Sequence, residues 1–68
     1  MSYLDLLRDN ASATEIREHL GGGEQTAITI RIPENLRDAA KEEASLRGMS
    51  FSAFVRACVI EELSKKGA

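Results

Sequence analysis

A chain of 68 residues is bounded to one small domain, too short to stabilise a core without a disulfide, a metal or a partner subunit. One cysteine, Cys58, excludes an intrachain disulfide, and one histidine, His19, distant from it in sequence, leaves a zinc site short of ligands. Self-association is the route that remains. No run approaches the length of a membrane span, and the start Met1-Ser2-Tyr3-Leu4 lacks a basic or long apolar segment, so the expectation is a cytoplasmic protein with no membrane partner.

The formal net charge of -2 weighs against nucleic-acid binding, but the acidity is unevenly spread. Residues 1–25 carry five acids against Arg8 and Arg17, a balance of -3, whereas the remainder carries seven bases against six acids, a balance of +1. An acidic arm therefore precedes a nearly neutral core, with the run Gly21-Gly22-Gly23 as a flexible joint between them. The expected organisation is an N-terminal arm over 1–25 and a second domain over 26–68.

Within the arm, Tyr3, Leu4 and Leu7 can line one brief helical turn. Ser12-Ala13-Thr14-Glu15 has the spacing of a capping box, and Ile16 and Leu20 follow one turn apart, which predicts a short helix from about Ala13 to Leu20. Neither piece is long enough to be stable alone in water.

After the glycines, Thr26-Ala27-Ile28-Thr29-Ile30-Arg31-Ile32 alternates strictly, with Ile28, Ile30 and Ile32 on one face and Ala27, Thr29 and Arg31 on the other. This is the single strand signal in the chain. A lone strand leaves its backbone groups unpaired, so its expected mate is the same strand of a second copy.

Pro33 and Glu34 suit the first turn of a helix, which is expected to run to about Arg47 with Leu36, Ala39, Ala40, Ala44 and Leu46 as its apolar face and Gly48 as a left-handed terminator. Glu43 falls within that face and is expected at its rim, in solvent or paired with Arg47 one turn later. Ser50 is a good N-cap for a second helix through Leu63. From Ala53 to Ile60 only Arg56 is polar, and a helix apolar nearly all round must be covered on several sides, which again calls for a second copy. Cys58, in the run Ala57-Cys58-Val59-Ile60, reads as a small core hydrophobe, and no catalytic constellation is visible, so neither an enzyme nor a cofactor is expected.

One alternating strand, a Pro-Glu helix start, a helix ended by Gly48-Met49-Ser50 and a second apolar helix, over about residues 26–66, resemble the ribbon-helix-helix superfamily of DNA-binding proteins of the Arc, CopG and MetJ type. The resemblance implies a mostly α fold with one β-strand, closed as an intertwined homodimer by an intermolecular two-stranded antiparallel ribbon. It implies that Ala27, Thr29 and Arg31 face the bases of the major groove, with Arg31 able to bond guanine and Thr29 to meet thymine. It also implies that Ser50, Phe51 and Ser52, at the N-terminus of the second helix, hold a phosphate. The implied dimer core is Ile28, Ile30, Ile32, Leu36, Phe54, Ala57 and Ile60. The function it points to is a sequence-specific repressor binding a double-stranded DNA operator, autoregulatory or the antitoxin of a toxin-antitoxin pair, as a homodimer or a higher assembly on DNA. The alternative is an adaptor, toxin-neutralising or for plasmid partition, that meets a protein partner through residues 1–20.

Overall fold

A computed structural model describes residues 2–68 and contains four helices, α1 (Tyr3–Arg8), α2 (Ala13–Gly21), α3 (Glu34–Leu46) and α4 (Phe51–Ser64). They belong to two compact units. One joins the residues up to Glu24 with Val59–Ala68, and the other is Gln25–Cys58, so α4 contributes residues to both.

The first unit is built from two reciprocal caps. The Ser2 hydroxyl accepts from Asp5 N–H at 3.2 Å while Ser2 N–H donates to Asp5 Oδ2 at 3.1 Å, and Ser12 and Glu15 repeat the arrangement at 3.1 and 3.4 Å. Each box satisfies orphan donors at a helix start, which lets helices of 6 and 9 residues begin at defined points. Asn10 turns the corner between them at φ 55°, a left-handed conformation that asparagine tolerates better than most residues. The corner is fastened by Ala11 N–H to Leu6 C=O at 3.0 Å. Leu6, Ala11 and Ile16 are buried together, with Tyr3, Leu7 and Leu20 packed against them. Ile16 is 0 % exposed and centres this small core.

The C-terminal residues complete that unit through polar contacts. Tyr3 OH donates to the Leu63 carbonyl at 2.9 Å, Arg17 Nε donates to Ser64 Oγ at 3.1 Å, and Ala68 N–H donates to the Ala11 carbonyl at 2.9 Å. Ser64 is almost wholly buried, and its hydroxyl donates in turn to Glu61 C=O at 2.9 Å. Its polar atoms are therefore paired, as burial requires. The arm that the glycine joint marks off thus packs with the end of α4.

In the second unit, Pro33 precedes α3 with a fixed backbone and no side-chain cap. The other end of α3 is a Schellman motif: Gly48 sits at φ 68°, Gly48 N–H donates to Ser45 C=O at 3.0 Å, and Met49 N–H reaches Ala44 C=O at 2.8 Å. Ser50 then caps α4 by accepting from Ala53 N–H at 3.1 Å. A cation of α3 and its C-cap arginine lie over rings of α4, with Lys41 Nζ 5.9 Å from the Phe51 centroid and Arg47 Cζ 5.3 Å from that of Phe54. Glu43 is at the rim and pairs with Arg47 Nε at 2.7 Å, as its position one turn earlier suggests.

The expected fold class is corrected at one element. The described residues hold no strand, so the fold is all-α, and a mostly α fold with one β-strand, closed as a ribbon-helix-helix by a two-stranded antiparallel ribbon, is not what the structure contains. Residues 24–33 run without helix, strand, turn or bend, and among the described residues no positive φ interrupts them. The alternation of isoleucine with polar residues sets which side each residue takes, but a strand exists only as a hydrogen-bonded ladder. This chain has one such run and no second run to pair it with.

Candidate nucleic-acid interface

The residues expected to meet DNA lie at two places in the second unit. Ala27, Thr29 and Arg31 are exposed on the segment over 24–33, and no hydrogen bond of the described residues involves positions 24–32. Arg31 makes no ion pair, so its guanidinium keeps all its donors for an outside acceptor. The neighbouring isoleucines are exposed as well: Ile28 is 79 % accessible, Ile30 64 % and Ile32 37 %. Within one chain both sides of the segment are therefore exposed.

The second place is the start of α4. Ser50 is exposed and caps the helix, Phe51 is half-buried and Ser52 is exposed. Helix geometry leaves the N–H groups of Phe51 and Ser52 without an intrahelical acceptor, and the positive end of the helix dipole lies there. Lys41 brings an ammonium to the same end through its contact with the Phe51 ring. Sequence reasoning passed over Lys41. The signal for it was the short connection from α3 to α4, which returns the chain and brings residues ten apart in sequence alongside each other.

The rest of the expected dimer core is unevenly placed. Leu36 is 54 % accessible and Ala57 is exposed, while Phe54 and Ile60 are half-buried. Leu46, Val59 and Cys58 are exposed as well. Against this, Ala44 is the one buried hydrophobic side chain of the second unit among the described residues. A unit of helices with so little buried apolar area leaves most of its hydrophobic driving force unused.

The arm residues that an adaptor would present are largely consumed inside their own unit. Ile16 is buried, Tyr3, Leu7 and Leu20 pack around it, and Leu4 remains exposed. His19 is exposed, and the described residues contain no cluster of His, Cys, Asp or Glu able to hold a metal ion. No helix among them is long and apolar enough to cross a membrane. Comparison with family models, with curated proteins and with solved structures found no match to this chain.

Proposed function

We propose that the chain is a sequence-specific DNA-binding transcriptional repressor that acts as a homodimer, regulating its own operon or serving as the antitoxin of a toxin-antitoxin pair. The observation that carries this reading is the interleaving of exposed Ile28, Ile30 and Ile32 with exposed Thr29 and Arg31 on one unpaired segment without turn or bend. A second copy covering the isoleucines relieves their cost in water. It leaves Thr29 and Arg31 turned outward on a narrow element that can reach base edges in the major groove. The start of α4, with Ser50, Phe51, Ser52 and Lys41, supplies a phosphate contact that needs few basic side chains. That arrangement suits a protein whose net charge is -2.

The test is selection of duplexes from a random-sequence pool, followed by titration of the selected duplex. Arg31→Ala lowers affinity about tenfold or more and relaxes preference at one base pair, the loss of a bidentate contact to guanine. Helix content stays unchanged, because Arg31 makes no contact within the chain. Failure to select any sequence from the pool overturns the proposal, and an equal loss on all sequences confines Arg31 to phosphate.

A further inference from the structure

Residues 24–32 are exposed at every position, run without turn or bend, and offer all their backbone N–H and C=O groups unpaired. That is the form in which an endoprotease takes its substrate, since the cleft binds a run of residues as an added strand and needs their main-chain groups free. The basic residues of the second unit differ sharply by this criterion. Arg37, Lys41 and Arg56 lie inside helices and Arg47 caps one, while Arg31 lies in the open segment with a free guanidinium. The bond after it has the N–H of Ile32 on its far side, and the imino residue Pro33 comes one place later.

We propose that the Arg31–Ile32 bond is a processing site for a trypsin-like serine endoprotease, open in the single DNA-free chain and closed where a second copy and DNA cover the segment. The protease's serine oxygen adds to the Arg31 carbonyl carbon, the amide bond breaks, and its nitrogen leaves with a proton as the new amino terminus at Ile32. Water then releases the acyl group as a carboxylate on Arg31. The cut parts Thr29 and Arg31 from α3 and α4. The arm stays in place, because Tyr3 to Leu63, Arg17 to Ser64 and Ala68 to Ala11 hold it to the C-terminal residues without the linker. Closure rests on the repressor reading, in which a second copy covers the isoleucines and Arg31 faces the bases.

Trypsin at low ratio to the folded full-length chain, diluted until sedimentation shows the single chain, with intact-mass detection of the first products, tests the site itself. The expected first cut falls after Arg31, about tenfold faster than any helical site, whose cleavage must wait for local unfolding. Arg31→Gln abolishes that product and leaves the slower cuts unchanged. A first cut after Lys65 or Lys66, or at a helical arginine, overturns the site. The two fragments elute together and no longer bind the selected duplex. Separation of the fragments, or retained DNA binding, overturns the proposed consequence. Adding the selected duplex slows the cut about tenfold or more. A rapid first cut after Arg31 that DNA leaves unchanged keeps the site and removes the DNA gate, which separates its failure from that of the repressor reading.

Discussion

Gly67 lies against the start of α2 with no room for a side chain. A Cβ there would stand 2.5 Å from the Ala13 nitrogen and 2.6 Å from its Cα, which are backbone atoms that cannot swing aside. Gly67→Ala therefore lifts the C-terminal residues, breaking Ala68 N–H to Ala11 C=O, and destabilises the first unit by about 1–3 kcal/mol. Amide hydrogen exchange reads this directly: protection falls across α2 and stays unchanged in α3. Gly48 is needed for a different reason. Its φ of 68° closes the Schellman motif, in open space, so Gly48→Ala costs about 1 kcal/mol of backbone strain with no clash, seen as a lowered urea midpoint.

Among the elements, α1 depends most on its cap, because six residues form less than two turns. The Ser2 backbone N–H and hydroxyl, both bonded in the Asp5 box, hold the Asp5 carboxyl below the usual aspartate range. A carboxyl whose folded pKa is depressed adds stability that is present above its unfolded value and is lost as pH falls through the folded one. Acidification below the ordinary aspartate range thus frays α1 before the second unit responds, followed through the Ser2 and Asp5 amide signals. Asp5→Ala removes that pH response, and if the fraying persists in the variant another group controls it.

At the scale of the whole molecule, the apolar residues left in water decide behaviour. Ile30 is 64 % accessible and Ile28 79 %, so replacing either with a charge removes nothing that the single chain uses. If a second copy covers them, unfolding of the wild type occurs at a midpoint that rises with protein concentration. Ile30→Glu then abolishes that dependence and the dimer peak in sedimentation while the helical signal of the monomer persists. A wild-type midpoint independent of concentration would sink the homodimer. Deleting residues 2–24 acts elsewhere. It strips Leu6, Ala11 and Ile16 from the first unit and uncovers Ser64, so α4 frays from its C-terminal end while the contacts within 25–58 remain.

Sequence alone located α2, α3 and α4, and gave α1 only as a brief turn lined by Tyr3, Leu4 and Leu7, because the signals that start and stop a helix act within four residues. Ser12 with Glu15, Pro33 with Glu34, Gly48 and Ser50 are each recognised by the next turn of their own backbone. Of the candidate interface, Thr29, Arg31, Ser50 and Ser52 were readable as polar positions at fixed places, while Lys41 was not, since its nearness to Phe51 depends on how α3 and α4 pair. Strand formation was not decided locally either, for the alternation over 26–32 supplies sides and no partner, and the run remains unpaired. Only the tertiary structure seated the arm on the C-terminal residues. The contacts that do so join residues as distant as Tyr3 and Leu63 through a backbone carbonyl, which every residue carries and no sequence pattern marks.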